Sequence, residues 1–114
     1  MMTKKSKESA EHYMWGNGND GWHHLNTQEL SVIEERVAPG GTESRHYHEK
    51  SQQLFYILQG KATFEISGEI INVQSGESLH IKAGQVHSLE NKSTEEIRFL
   101  VVSQPKSHGD KVST

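Results

Sequence analysis

The stretch of chain that decides the fold is residues 40–60, which read GGTESRHYHEKSQQLFYILQG. Side chains alternate between the two faces of a β-strand, so His46 and His48 are expected to project from the same face. Gln53 stands five positions after His48, an odd offset that would turn it to the opposite face of one unbroken strand. The polar residues 49–51 are therefore predicted to form a turn, after which Gln53 can join the two histidines.

A fourth candidate ligand, His87, lies in a distant segment, residues 76–91. Imidazole nitrogen and amide oxygen both suit a borderline divalent first-row metal. We therefore predict one divalent ion, Zn, Ni, Mn or Fe, held by His46, His48, Gln53 and His87. Two alternatives stay open. In the first, the site binds no metal; in the second, the three histidines bind the ion while Gln53 hydrogen-bonds a water on it.

Glycines at fixed distances bracket both segments. The first reads Gly40-x5-His46-x-His48-x4-Gln53-x6-Gly60, and the second reads Gly76-x7-Gly84-x2-His87-x3-Asn91. Together they resemble the two signature motifs of the cupin superfamily. That resemblance implies a double-stranded β-helix, or jelly-roll, barrel with the metal near one open end. The chain departs from the family pattern at two positions, where Gln53 replaces the usual glutamate and Lys82 replaces a turn proline.

The hydrophobic pattern of the middle region independently predicts an all-β fold. Residues 62–66 alternate strictly, and the apolar runs 54–58 and 97–102 predict strands that are buried on both faces. Seven or eight short strands with frequent turns and no convincing helix indicate a sandwich or small barrel. We expect the barrel to occupy residues 30–104. An N-terminal tail and Trp-containing loop (1–29), frayed over residues 1–12, would precede it, and a C-terminal tail (105–114) would follow it.

The N-terminal loop contains a motif with a misleading resemblance. Gly16-x-Gly18-x-x-Gly21 spells the dinucleotide-binding fingerprint, but that fingerprint needs a strand before it and a helix after it. Turn chemistry explains the glycines instead. The loop's Trp15 and Trp22 are interpreted as a plug for one barrel end or as part of a dimer contact. Its histidines, at positions 23 and 24, are interpreted as surface residues.

Composition narrows the possible partners. A net charge of −3 without a basic run argues against nucleic-acid binding, and the lack of cysteine excludes disulfides and thiol chemistry. No run approaches the roughly 20 apolar residues of a membrane helix, and no apolar stretch follows the basic start as in a secretory signal. We therefore expect a cytoplasmic protein with a small-molecule ligand, anionic or sugar-derived. It is expected to pair as a homodimer that covers apolar strand faces.

The glutamine at position 53 changes the chemistry that the ion could support. A glutamate ligand would cancel one positive charge, whereas Gln53 leaves the ion its full double charge and makes it a stronger Lewis acid. Oxygen activation often relies on a carboxylate beside two histidines, so isomerisation, ring opening or elimination is favoured, the work of an isomerase or lyase. The alternatives are a non-haem iron dioxygenase and a non-catalytic binding or sensor protein.

Glu35 is the candidate for moving a proton. It shares strand parity with Ile33 and Val37, so it points inwards if they do, and a carboxylate in such a wall should have a raised pKa. The alternative is a solvated carboxylate at the strand's edge. Among cupins with a His-His-Gln-His set, the chain resembles those that open and linearise unsaturated uronate sugars. Residues 99–107, however, lack the acid and the arginine that serve catalysis in that group.

Overall fold

The computed structural model describes residues 4–114, which form eleven β-strands and no α-helix. The strands are β1 (Glu11–Trp15), β2 (Asn19–Asn26), β3 (Ser31–Val37), β4 (Thr42–His48), β5 (Gln52–Gln59), β6 (Lys61–Ile66), β7 (Glu69–Gln74), β8 (Ser78–Ile81), β9 (His87–Glu90), β10 (Ile97–Gln104) and β11 (Lys111–Ser113). The predicted all-β class is confirmed. Within this part of the chain there is accordingly no apolar helix of membrane-spanning length.

The strands make two antiparallel sheets that face each other. Six strands form one sheet in the order β1-β2-β3-β10-β5-β8, and five form the other in the order β11-β4-β9-β6-β7. Phe55 packs against Phe64 of the opposite sheet, with 5.1 Å between ring centroids, and against Phe99 of its own sheet at 5.5 Å. Both distances suit tilted aromatic pairs, so one aromatic cluster joins the two sheets.

Two tight turns connect strands near the site, and the first is the one that the sequence predicts. β4 ends at His48 and β5 begins at Gln52, which leaves residues 49–51 as the connecting turn. The hairpin between β6 and β7 turns at Ser67 and Gly68, whose φ angles are +50° and +91°. Positive φ at both central positions is the requirement of a tight type I′ hairpin, and glycine meets it without steric cost.

The N-terminal segment differs from the expectation of a loop. β1 and β2 form an antiparallel hairpin, and β2 pairs with β3, so the hairpin extends the larger sheet. Its Tyr13 and Trp15 pack against the core. The sequence does contain a feature that could have predicted this hairpin: turn residues 16–18 stand between two alternating segments, a pattern typical of a hairpin. Residues 1–3 of the expected frayed tail lie outside the described residues.

The C-terminal segment also contains a strand where a tail was expected. β11 pairs with β4, placing Lys111 opposite His48 and Ser113 opposite His46. The carboxylate of Asp110 accepts hydrogen bonds from the backbone amides of Lys50 and Ser51, both at 2.9 Å. The segment therefore fixes both the strand that carries two candidate ligands and the turn that follows it.

The prediction that the apolar runs are buried on both faces is wrong. On β5 the side chains of Leu54, Tyr56 and Leu58 are 41%, 43% and 42% exposed, while the residues between them are buried. On β10 the neighbouring Leu100 and Val102 are half-buried. Together these five side chains, which we call the outer apolar face, form a contiguous patch, because Leu54 pairs with Val102 and Tyr56 with Leu100. An apolar run does not distinguish burial within a chain from burial against another molecule.

We propose that the outer apolar face pairs with the same face of a second copy, giving the homodimer expected from the sequence. Leu54→Glu should weaken the dimer about 100-fold, because an unpaired buried charge costs about 3 kcal/mol or more. Sedimentation equilibrium at micromolar concentration measures this. Ile70→Glu is the matched control, since Ile70 is 59% exposed on the other sheet, and it should leave the dimer intact. A monomeric wild type would refute the pairing.

Candidate metal centre

Three buried histidines converge between the sheets. His46 and His48 project from β4, and His87 begins β9 directly opposite His46. One ligand nitrogen from each lies within 4.8 Å of the others. The ring centroids of His46 and His87 are 4.4 Å apart, and those of His46 and His48 are 5.0 Å apart. The structure therefore brings together the three histidines that the sequence singled out.

Backbone carbonyls orient two of the three rings. Nδ1 of His46 lies 2.7 Å from the carbonyl oxygen of Ser44, and Nδ1 of His87 lies 2.9 Å from that of Gln85. Since a carbonyl oxygen only accepts, each Nδ1 donates a hydrogen and each Nε2 retains its lone pair. Metal-binding histidines are commonly held in this way.

Gln53 faces the histidines from the opposite sheet, on β5. Its Nε2 donates a hydrogen bond to Oγ of Ser103 at 3.1 Å, which leaves Oε1 as the free acceptor. Six buried side-chain atoms among residues 4–114 have no hydrogen-bond partner, and three of them belong to the candidate ligands: Oε1 of Gln53, Nδ1 of His48 and Nε2 of His87. Buried lone pairs without partners are costly, and a divalent ion would satisfy them. The residues thus fit a metal ion.

Burial determines the protonation of the three rings. Desolvation lowers the pKa of His46, His48 and His87, and for His48 the two neighbouring imidazoles add to the effect and bring its pKa to about 4. All three rings are consequently neutral at pH 7 and can bind a cation without first losing a proton. The ordinary pKa of a histidine side chain is about 6.5.

Glu35 lines the same cavity as His46 and His48, as expected from strand parity if its neighbours Ile33 and Val37 point inwards. The cavity has a volume of about 310 Å³, and Ile33, Phe55 and Val101 form part of its wall. Burial in this wall raises the pKa of Glu35 to about 8, and the nearby charge of Glu43 adds to the rise. A carboxyl group with this pKa is mostly protonated at pH 7 and is suited to proton transfer.

A second acidic group, Glu43, was missed by the sequence reasoning. It lies three residues before His46, so simple alternation would place it on the other face of β4. The register of β4 against β9 shifts between these two residues, however, and this irregularity brings Glu43 into the cavity. Its carboxylate lies 4.0 Å from Nε2 of His46 and 4.0 Å from Nζ of Lys111. Burial raises the pKa of Glu43.

The terminal segments supply further cavity residues, of which only Trp15 was interpreted from the sequence as lying at a barrel end. Lys111 and His108 come from the expected C-terminal tail, and Tyr13 and Trp15 come from the N-terminal hairpin. His23, interpreted from the sequence as a surface residue, is only 8% exposed. That interpretation was wrong, because the hairpin becomes a sheet strand and turns His23 towards the interior.

Comparison with known proteins agrees with this architecture. Residues 33–103 match the model of the cupin domain family. The chain belongs to the cupin family. This cupin is 30% identical over 67 residues to the oxalate-binding protein of Thermotoga maritima, covering 59% of this chain and 55% of that protein. It is 38% identical over 58 residues to quercetin 2,3-dioxygenase of Bacillus subtilis, covering 49% of this chain and 17% of that enzyme.

The structural comparison identifies the fold. A conserved protein with a double-stranded β-helix domain from Klebsiella pneumoniae superposes on this cupin with a TM-score of 0.73 at 23% identity, covering 82% of this chain and 81% of that one. The double-stranded β-helix expected from the motifs is therefore confirmed. The matches to the first two curated relatives span about half of the relatives' own length, at 55% and 46%.

His48→Ala should remove most of the bound metal from this cupin. Removing a residue that only hydrogen-bonds a metal ligand weakens metal binding about 10–100-fold. Removing a ligand itself should weaken it more. Elemental analysis of protein purified without chelator measures the metal content. His80→Ala is the matched control, because the His80 side chain is exposed and hydrogen-bonds only to Gln52 among the described residues. Equal metal content in wild type and His48→Ala would contradict the site.

The pH at which the metal affinity begins to fall should lie below that of a site built from histidines with the ordinary pKa. Protons compete with the ion for the imidazoles, and all three histidines have a lowered pKa, with that of His48 at about 4. Affinity should therefore stay constant down to about pH 6.5 and decline only below it. Competition with a chromogenic zinc chelator, corrected for the chelator's own protonation, measures the dissociation constant. A decline that begins above about pH 7 would show that burial does not govern these rings.

Proposed function

We propose that this cupin uses one divalent ion as a Lewis acid on a small oxygenated substrate, promoting isomerisation, ring opening or elimination. His46, His48 and His87 would hold the ion, with Gln53 as the fourth or a near ligand. Zinc, nickel, manganese and iron all suit this donor set. When bound, the ion would polarise a substrate carbonyl and acidify the adjacent C–H bond.

The donor set carries the proposal, because it contains no charged ligand. Three imidazoles and an amide leave the double positive charge of the ion uncompensated, which favours an anionic substrate that presents two neighbouring oxygens. Similarity to the oxalate-binding protein of Thermotoga maritima supports this ligand class, since oxalate is a dianion with adjacent oxygens. The apolar side chains of Ile33, Phe55 and Val101 would limit water in the cavity and strengthen electrostatic contacts there.

Glu35 would move the proton. With a pKa raised to about 8, its carboxyl group holds a proton at pH 7 and can donate it to a developing oxyanion or accept it back. Glu43 would assist by holding Lys111, whose ammonium group lies 4.0 Å from the Glu43 carboxylate. Lys111 adds a positive charge to the cavity and so also favours an anionic substrate.

Glu35→Gln should lower turnover about 10²–10⁴-fold while leaving metal content unchanged, because glutamine preserves the shape of the side chain but cannot transfer a proton. A panel of keto acids, uronates and sugar derivatives supplies the substrate. Glu90→Gln, a change at an exposed carboxylate on β9, is the matched control and should retain turnover. Turnover that survives complete removal of metal by a chelator would overturn the proposal.

Two outcomes of the same assay would support other functions. Oxygen uptake coupled to turnover would identify an iron dioxygenase, the function suggested by the similarity to quercetin 2,3-dioxygenase. Tight binding without turnover of any compound would identify a binding or sensor protein, the function suggested by the oxalate-binding relative. We further propose that the protein is cytoplasmic, in keeping with the sequence expectation.

A further inference from the structure

Tyr13 reaches the catalytic candidate Glu35 across an intervening strand. On the three adjacent strands β1, β2 and β3, Tyr13 pairs with Gly21, and Gly21 pairs with Glu35. The three residues therefore form one row across the inner face of the sheet. At the end of this row the hydroxyl of Tyr13 donates a long hydrogen bond of 3.4 Å to Oε2 of Glu35.

Gly21 creates the space that this arrangement needs. A Cβ atom at this position would lie 2.3 Å from Cζ of Tyr13 and 2.5 Å from its hydroxyl oxygen. Gly16 and Gly18 have positive φ angles that suit a turn, whereas Gly21 does not. The glycine at position 21 is therefore required by close packing and not by backbone conformation. This explains the third glycine of the motif that resembled a dinucleotide fingerprint.

Two histidines pack around the Tyr13 ring. Its centroid lies 5.1 Å from that of His23 on β2 and 6.1 Å from that of His108 near the C-terminus. The two histidine rings are themselves 5.5 Å apart, edge to face. The phenol is therefore supported from two separate parts of the chain, which limits the orientations it can adopt.

We propose that Tyr13 is a positioning residue whose hydroxyl holds the Glu35 carboxyl in its orientation within the cavity, and that Gly21 is the gap that permits it. The N-terminal hairpin thereby becomes part of the functional site. The effect of Tyr13 on turnover rests on the proposed function of Glu35. The effect of Tyr13 on the orientation and ionisation of the Glu35 carboxyl is independent of that proposed function.

The ionisation of Glu35 offers a direct readout of this contact. Three ionisable side chains influence the carboxyl: Tyr13, Glu43 and Lys111. Burial and the charge of Glu35 raise the pKa of Tyr13, so the phenol stays protonated and acts as a donor at neutral pH. A donor stabilises the ionised carboxylate, and its removal should therefore shift the titration of Glu35 to higher pH.

The first experiment is Tyr13→Phe in the full chain, with zinc added and the glutamate carboxyl carbons labelled for NMR. The titration midpoint of Glu35 should rise relative to wild type, while the circular dichroism spectrum stays the same because the ring remains. Tyr56→Phe is the matched control, since Tyr56 lies on the face of β5 that points away from the cavity and the change keeps the ring that the proposed dimer would bury, and it should leave the midpoint unchanged. An unchanged midpoint in Tyr13→Phe would overturn the proposal.

The second experiment tests the gap. Gly21→Ala should displace the phenol and raise the Glu35 midpoint in the same direction. In a Tyr13→Ala background, where the ring that meets the new Cβ is gone, it should add no further shift, because the two changes remove one interaction. Additive shifts would show that Gly21 acts on Glu35 by another route and would refute its role as a gap. If the midpoint shifts as expected but Glu35→Gln keeps full turnover, the proposed function fails while the positioning contact stands.

Discussion

The antiparallel pairing of β4 with β9 is the constraint on which the site depends. It sets His46 opposite His87 and, through strand alternation, brings His48 to the same interior face. Burying these rings removes water from their nitrogens, which keeps them neutral and leaves two of their lone pairs without a partner among the described residues. Each buried lone pair without a partner lowers the stability of the fold by about 1–3 kcal/mol. A metal ion bound by these lone pairs would therefore stabilise the folded protein.

The motif residues that flank the histidines maintain that pairing. Backbone bonds link the two motifs, with the amide of Gly40 donating to Asn91 and the amide of Asn91 donating to Gly41, both at 2.9 Å. The buried Asn91 side chain donates to the carbonyls of Val37 and Glu95. The ends of the two motifs thus meet in space, which explains why residues without metal-binding atoms accompany the ligands.

The candidate site residues are divided between the two sheets. β4 and β9 of the smaller sheet carry the histidines, while β3 and β5 of the larger sheet carry Glu35 and Gln53. An ion bound by neutral ligands and a carboxyl group with a raised pKa would therefore face each other across one cavity. The terminal segments complete the cavity: β11 adds Lys111 beside the histidine strand β4, and β1 adds Tyr13, with β2 lying between it and the glutamate strand β3.

The sequence by itself predicted the all-β class, the turn at residues 49–51 and the shared face of His46 and His48, because each follows from local geometry: strand alternation or turn chemistry. His87 was added to the set through the resemblance to the cupin motifs, and strand parity offered an inward Glu35 beside a solvated alternative. Only the tertiary structure decided which other groups join them. Glu43 enters through a register shift, and Tyr13 through the absence of a side chain at Gly21. The outer face of β5 is likewise exposed because no other part of the described chain covers it. Such features depend on what lies opposite each residue, which its sequence neighbours do not specify.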